Sequence, residues 1–493
     1  MHSELETIVV TPEEMAGIDR AAIASGIDGY GLMEKAGQAV AAAALRLFPG
    51  GRRFVVLAGP GNNGGDGYVA GRALSDAGCP VELYGIGAPA TDSDADRARQ
   101  RYAGPTLALA DYAPSSGDIV IDALFGAGLS RDLDAAVCTL IGRVNSLAVP
   151  VVAVDLPSGV DGRTGQVRGA AFQARHTVTF MCRKPGHLLM PGRTLCGDVE
   201  VYDIGIPGRI VSAASHHLRV NGPAIWRMSL PLADPSAHKY GHGHLAVFSG
   251  GRLSTGAARL SAAAGLHAGA GLVTLLSPGS AADVNAAQLS AVMLRQVDDV
   301  AGLGALTADP RLSAFVLGPA FGDLEKARAY VAALRGRPLV LDADGITAFR
   351  DRPEELFEIH ADGEGPLVLT PHDGEFARLF PDLAADAGLS KVERARKAAA
   401  RSSAAVVLKG ADTVVAAPDG RALINTNAPP WLATAGSGDV LAGIIGAHLA
   451  RGMPAFEAAA AGVWRHGEAG RRAGPGATAE DLVTALKGSD QTR

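Results

Sequence analysis

The chain has 493 residues, 47% of them apolar and 19% charged, with a formal net charge of −6. That is enough apolar sequence for two sizeable cores, and the mildly acidic balance leaves no basic footprint for nucleic acid. The four cysteines, Cys79, Cys138, Cys182 and Cys196, lack metal-ligand spacing, and the acidic N-terminus has no signal-peptide apolar run. Reduced thiols, a cytoplasmic location and no membrane span are therefore expected.

In chain order, Thr11-Pro12-Glu13-Glu14 predicts a helix start, with Thr as N-cap, Pro in the first turn and acids behind it. A second helix is predicted around 31–47. Strands follow at 53–58, 81–86, 118–122, 150–154 and 176–181, mostly as continuous Val/Ile/Leu runs of the kind covered on both faces. Helices are predicted between them, around 67–77, 92–102 and 134–147. This alternation predicts an α/β fold with a Rossmann-like, doubly wound parallel sheet. Asp203-Ile204-Gly205-Ile206-Pro207 ends the pattern, and 208–236 reads as a connection. The second half starts over with strands at 245–248, 272–276, 314–317, 338–341, 367–369, 405–408 and 413–417, and an Ala-rich helix at 255–268. Two domains are expected, 1–220 and 221–493.

Residues 59–67, Gly-Pro-Gly-Asn-Asn-Gly-Gly-Asp-Gly, follow the first strand. Gly59, Gly61 and Gly64 spell G-x-G-x-x-G, with Glu82 about 20 residues on, as in a dinucleotide fingerprint. With 63 glycines in the chain that spacing arises readily by chance, and it leaves Asn62, Asn63 and Asp66 unexplained. Two further polar clusters, Asp122-Ala123-Leu124-Phe125-Gly126-Ala127-Gly128 and Asp155-Leu156-Pro157-Ser158-Gly159, also follow strands. In open α/β sheets ligands bind beyond the carboxyl ends of strands, so the three clusters should converge. Their amide, carboxylate and hydroxyl oxygens, without thiol or imidazole, suit a hard cation, and the low formal charge suits a monovalent one. Backbone N–H groups around 64–67 and 126–129 could cradle phosphates if helices start there. Asp122 and Asp155 equally suit turn caps, and Asp66 equally suits the cap of a helix starting near Gly67.

Together with Leu32-Met33-Glu34-Lys35-Ala36-Gly37 and Asp203–Pro207, these clusters resemble the YjeF N-terminal family. The resemblance implies a NAD(P)H-hydrate epimerase that interconverts the R and S forms of NADHX and NADPHX. It implies a potassium ion on Asn63, Asp122 and Ser158. Hydrate contacts are implied for Asn62, Asn63, Gly64, Gly65 and Asp66, for Gly126, Ala127, Gly128, Leu129, Ser130, Arg131 and Asp132, and for Asp155. The epimers differ at the carbon bearing the hydroxyl, so water must leave and return there. Asp155 is the expected general acid/base, with a structural role at the Pro157 turn as its alternative.

In the second half, Thr434-Ala435-Gly436-Ser437-Gly438-Asp439 precedes a helical run. Its N–H groups would face an anion, with Asp439 in the first turn as a base, an arrangement suited to activating a hydroxyl for phosphoryl transfer. Lys409, beyond a strand in Lys409-Gly410-Ala411-Asp412-Thr413, suits a nucleotide phosphate. His372 in Thr370-Pro371-His372-Asp373-Gly374-Glu375 suits a polar substrate or a turn. Asp342 and Asp344 would share a face if their strand persists, as a magnesium or substrate contact, and solvated turn acids fit them nearly as well.

These stretches, with Gly269–Thr274 and Leu317–Gly322, resemble the YjeF C-terminal, ribokinase-like family of nucleotide-dependent NAD(P)H-hydrate dehydratases. The resemblance implies hydrate contacts at Ala257, Gly322, His372 and Asp439. It implies nucleotide contacts at Lys409, Gly410, Ala411, Asp412, Thr413 and Gly438, with ADP, less readily ATP, as phosphoryl donor with magnesium. Asp439 would deprotonate the hydrate hydroxyl, whose phosphorylation and elimination restore NAD(P)H. Two departures stand out: Gly318-Pro319-Ala320-Phe321-Gly322 where the family has Gly-Pro-Gly-Leu-Gly, and no aromatic near Leu253–Ala257. The two resemblances together imply a fused repair enzyme acting on small molecules, and a homo-oligomer is expected. A ribokinase-like small-molecule kinase with an accessory N-terminal domain, a non-catalytic nucleotide-binding protein and a dehydrogenase remain alternatives at this point.

Overall fold

The structure, a computed structural model, describes residues 7–51, 53–215, 217–231, 242–361 and 365–487. The chain divides into two compact units, Met1–Leu218 and Arg219–Arg493.

In the first unit, Thr11 caps the helix Pro12–Ala24 in a reciprocal capping box with Glu14, and Asp28 caps the long helix Gly29–Leu47. Seven strands follow: β1 Arg53–Ala58, β2 Val81–Gly85, β3 Thr106–Ala108, β4 Asp118–Ala123, β5 Val151–Val154, β6 His176–Phe180 and β7 Asp198–Tyr202. They form one parallel sheet in the order β3-β2-β1-β4-β5-β6-β7. Successive side chains point to opposite faces of a strand, and β1 shows the result. Phe54, Val56 and Ala58 enter one core, while Val55 and Leu57 enter the other. The order reverses between β1 and β4, which opens a crevice beyond their carboxyl ends.

The polar stretch after β1 is not a free loop. The helix begins at Asn62 and runs to Asp76, capped by Gly61, so the expected start near Gly67 is one turn late. Asp66 is therefore inside the helix and caps nothing. The chain can turn this tightly because Gly59 and Gly64 lie against each other, and a Cβ on either would strike a backbone carbonyl, of Leu124 or of Gly59. The N–H groups left over are those of Asn62–Gly64, because the Gly65 N–H already donates to Gly61. Residues 126–129 also differ from expectation. They form a turn, and the next helix starts only at Ala135.

Of the expected connection 208–236, the described part holds the helix Gly208–Ala214, β8 Leu218–Val220 and the short helix Pro223–Trp226, while 232–236 lie outside the described residues. The second unit adds β9 His244–Phe248, β10 Leu272–Ser277, β11 Met293–Gln296, β12 Ala314–Leu317, β13 Leu339–Leu341, β14 Leu367–Leu369, β15 Ala405–Leu408, β16 Val414–Ala416 and β17 Ala422–Ile424. The sheet runs β11-β10-β9-β12-β13-β14-β15-β16-β17-β8, parallel through β15 and antiparallel through the β15–β16–β17 hairpins. The helices Gly256–His267, Ser437–Ala450 and Ala455–Ala473 pack their small side chains together on this sheet.

Candidate active sites

The crevice of the first unit is a cavity of about 590 Å³ at the β1/β4 reversal. Asn62, Asn63, Asp66, Gly126, Ala127, Gly128, Leu129, Ser130, Arg131 and Asp155 line it, so the three sequence clusters do converge. Gly64, Gly65 and Asp132 are not in the lining. Gly65 packs toward the Met33 sulfur, where a Cβ would come within 2.6 Å.

Asp155 is held from several sides. Its Oδ1 accepts from Lys184 Nζ at 2.7 Å and from Thr179 Oγ1 at 2.9 Å, and its Oδ2 accepts from the Ala127 N–H at 2.8 Å. His187 Nε2 donates to the Asp155 carbonyl at 2.6 Å, while His187 Nδ1 accepts the Lys184 N–H at 2.9 Å, which fixes a neutral imidazole. The Asp155 backbone is left-handed, φ 65°, a conformation rare outside glycine and common where a site stores strain. Burial works against the Asp155 carboxylate, but Lys184, His187 and the Ala127 N–H outweigh it and bring the group down to about 2.

Asp66 lies in the same cavity lining, with the opposite tendency. It is 9% exposed, and no hydrogen bond holds its carboxyl among the described residues. Burial, then the nearby charges of Asp155 and Asp19, push it well above the usual carboxylate range, against a pull from Lys184. Asp19, also in the lining, is raised by burial too. Sequence reasoning missed Lys184 and Thr179. Thr179 is the last residue but one of β6 and Lys184 lies four residues beyond its end, and the basic pair Arg183-Lys184 shortly after a parallel strand was the available signal.

Asp122 and Ser158 form a second, fully buried knot. The Asp122 carboxylate accepts the Ser158 N–H and hydroxyl, both at 2.6 Å, and Ser158 Oγ accepts the Phe125 N–H at 2.8 Å. Burial raises Asp122 to about 6 despite these bonds. Asn63 approaches the knot's loop. A Cβ on Gly126 would lie 2.8 Å from Asn63 Oδ1 and 2.9 Å from Asp155 Oδ2. Asn63 Nδ2 is buried with no hydrogen-bond partner, and half a turn of the amide would place an oxygen there instead. Among the described residues no group of three His, Cys, Asp or Glu side chains is arranged to hold a metal ion.

In the second unit, the helix Ser437–Ala450 starts from Gly436 in a left-handed conformation, φ 83°. The Ser437 N–H donates to Thr434 at 3.3 Å and the Val440 N–H to Gly436 at 3.1 Å, so the N–H groups of Gly438 and Asp439 between them are left to face an anion. Asp439 is raised to about 6, by burial first and then by Asp342, with Lys409 opposing. Ser261 on the helix Gly256–His267 fixes the Asp439 carbonyl at 2.7 Å, and Ala257 lies one turn earlier on that helix. Lys409 Nζ pairs with Asp342 Oδ1 at 2.6 Å and lies 3.7 Å from Glu375 Oε2.

The remaining expected residues fall around this cluster in different roles. His372 caps the helix Asp373–Leu379, its Nδ1 accepting the Gly374 N–H at 2.9 Å and its Nε2 lying 3.3 Å from Glu375 Oε1, so both ring nitrogens serve the turn. Gly410 and Thr413 close the β15–β16 hairpin, with Thr413 Oγ1 accepting the Gly410 N–H at 3.1 Å, and Ala411 is at its exposed tip. Asp412 is buried against Lys391 at 2.6 Å. Asp342 and Asp344 do not share a face. The strand stops at Leu341, Ala343 turns with φ 46°, and Asp344 accepts the Gly322 N–H at 2.9 Å while Asp342 goes to Lys409. Phe321 enters an aromatic cluster with Phe248 and Tyr330. Ala320, where the family has glycine, adopts φ 48°.

Two doubly wound sheets, each presenting an aspartate and a lysine beyond its carboxyl edge, one in an oxygen-lined cavity and one at a helix start with unbonded N–H groups, define a two-module α/β enzyme. Residues 29–186 match the family model described as the YjeF-related protein N-terminus, and residues 245–488 match the one described as NAD(P)H-hydrate dehydratase. The chain is 36% identical to a bifunctional NAD(P)H-hydrate repair enzyme of Moorella thermoacetica, covering 94% of this chain and 92% of that one. It is 34% identical to the Escherichia coli enzyme of the same description, covering 92% and 87%. An ADP/ATP-dependent NAD(P)H-hydrate dehydratase from Bacillus subtilis, crystallised with ATP and Mg2+, overlays 54% of this chain and 95% of its own at 27% identity and a TM-score of 0.45. The chain belongs to the bifunctional NAD(P)H-hydrate repair enzyme family.

Proposed function

We propose that the first unit epimerises R and S hydrates of NADH and NADPH, and that the second dehydrates the S form with ADP, less readily with ATP. AMP and phosphate are the other products. The observation that carries this is the pairing, within one chain, of an oxygen-lined cavity with a helix start whose unbonded N–H groups lie beside a raised aspartate and a lysine.

Loss and return of water at one carbon needs a proton for the departing hydroxyl and an anion to steady the electron-poor ring. Asp66 and Asp155 line one cavity with their protonation pushed apart, the pattern that separates an acid from a base. A carboxylate held near 2 accepts a proton poorly at neutral pH, so Asp155 works as the anion of the Asp155–Lys184 pair and Asp66 supplies the proton. This modifies the expectation that Asp155 alone transfers it.

Asp122, Ser158 and Asn63 fit a potassium ion. All offer oxygen, and the unpartnered Asn63 Nδ2 would become an oxygen facing the site once the amide is turned over. The ion would anchor the loop carrying Phe125–Gly128 against the cavity.

In the second unit the Gly438 and Asp439 N–H groups and Lys409 face the transferring phosphoryl group, and Asp439 takes the hydroxyl proton. Magnesium would accompany the nucleotide phosphates.

The test is incubation of the full chain with mixed R and S hydrate and ADP, following reduced-nicotinamide absorbance. Complete recovery is expected. A stable phosphorylated product in place of NAD(P)H would favour the small-molecule kinase instead.

A further inference from the structure

Three neighbouring parallel strands end on three linked side chains. β13 is followed by Asp342, β14 by Thr370 and β15 by Lys409. Register pairs Leu341 with Leu369, which sets Asp342 and Thr370 side by side. Asp342 Oδ1 accepts from both partners, from Lys409 Nζ at 2.6 Å and Thr370 Oγ1 at 2.9 Å. Asp342 is 2% exposed, and its backbone is fixed at both ends, donating to Leu317 and accepting from Gly345. The linked pair faces the anion loop: a Cβ on Gly438 would lie 3.5 Å from Lys409 Nζ and 3.7 Å from Asp342 Oδ2.

The first unit shows what a lysine does when nothing diverts it. Lys184 bonds directly to Asp155, and that carboxylate is held too low to act as a base. In the second unit Asp342 takes the lysine. The charged groups bearing on Asp439 are Asp342 and Lys409, with Glu375 behind the lysine. From the helix Ala455–Ala473, His466 meets Ser437 Oγ at 3.0 Å, and burial keeps its imidazole neutral, at about 4. The helix Gly256–His267 presents the uncharged Ser261.

We propose that Asp342 is a positioning residue: braced by Thr370, it occupies the Lys409 ammonium and keeps it at the mouth of the anion loop instead of on the Asp439 carboxylate. The inference rests on the reading of Asp439 as the base. It assigns a role to a residue for which sequence offered a magnesium or substrate contact, with a solvated turn nearly as good a fit. A lysine so held meets the phosphoryl group on arrival, while Asp439 stays available to the hydroxyl.

The test is Asp342→Asn, nearly the same shape without the charge. Lys409 then turns to Asp439. Dehydration of S-hydrate with ADP should fall about 10- to 100-fold in kcat, as for a misplaced catalytic group. The acid limb of its pH profile should move down by about one unit, because the base loses a like charge and gains contact with an opposite one. Thr370→Val, a milder change, should move both in the same direction by less. In a Lys409→Met background, Asp342→Asn should cost little more, since its work passes through the lysine. An unshifted acid limb, or losses that add in the double variant, would overturn the proposal. Carbon-13 NMR titration of Asp439 in the full chain separates the two questions. An Asp439 titration lowered by Asp342→Asn more than the same change lowers it in the Lys409→Met background supports the proposal even if the wild type turns over no hydrate, in which case only the reading of function fails; equal lowering in both overturns it.

Discussion

Each unit places an aspartate and a lysine beyond the carboxyl edge of a parallel sheet, yet the two aspartates end in opposite states. Asp155 bonds to Lys184 at 2.7 Å and is held near 2. Asp439 has its lysine diverted to Asp342 and rises to about 6. Burial pushes both upward, so the difference lies in which carboxylate the ammonium touches and in the like charge of Asp342 beside Asp439. A direct ion pair makes a permanent anion, suited to steadying positive charge. A near but diverted lysine leaves a base that can take a proton near neutrality.

The largest effect expected is at Asp439. Asp439→Asn should lower dehydration of S-hydrate by 10²–10⁴-fold, the usual range for losing a general base, while R and S forms still interconvert. Chromatographic assay of the two epimers beside absorbance recovery checks both halves at once. Retained dehydration would break the comparison at its second term.

Asp155→Ala should abolish R-to-S conversion and leave S-hydrate dehydration intact, measured on separated epimers. Lys184→Met sharpens the same point, because removing one partner of a buried pair destabilises by about 3–5 kcal/mol when the other stays charged. Its Asp155 carboxyl should titrate higher, and the first unit should unfold at lower denaturant.

The pH dependence of stability follows from the two directions. Asp155 is depressed when folded, so its contribution is present above the ordinary carboxylate value and is lost as pH falls from about 4 toward 2. Asp439 is raised, so folding disfavours its ionised form. The resulting penalty is absent below about 4 and complete above about 6. Denaturant midpoints of the wild type and Asp439→Asn across pH 4–7 check this, with the gap between them closing on the acid side.

The smallest effect expected is at Ala320. A non-glycine residue at φ 48° carries a left-handed cost of roughly 1–2 kcal/mol, so Ala320→Gly should recover part of it, offset by the entropy of a freer unfolded chain. A small rise in the second unit's denaturation midpoint is the expected result.

Most of the sheet architecture was legible in the sequence because the buried strands are continuous apolar runs between turn residues. Of the strands it missed, β8 and β17 are three-residue pieces too short to stand out, although β17, Ala-Leu-Ile, is buried, and the others lack such runs. β3, Thr-Leu-Ala, is exposed throughout, and β7 and β11 are half-polar edge segments. The helix start at Asn62 was hidden for a different reason. Two asparagines and three glycines argue for a loop, and only the close approach of Gly59 and Gly64 to backbone makes a helix there. The acids at Asp122, Asp155 and Asp439 were legible as residues but not as states. Their protonation depends on Lys184, Ser158, Asp342 and Lys409, which lie 29–97 residues away in the chain and meet them only through the sheet order. The Asp342/Asp344 pair misled because spacing alone assumes the strand goes on, and Ala343 turns the backbone after one residue.

The most direct measurement is the pH–rate profile of each half-reaction on the full chain, with pure R-hydrate for epimerisation and pure S-hydrate with ADP for dehydration. Dehydration should lose rate with an acid limb near 6 as Asp439 takes up a proton, while epimerisation shows no limb there from Asp155. A dehydration rate flat through pH 6, with the limb appearing at that pH in an Asp155-dependent epimerisation, would contradict the account.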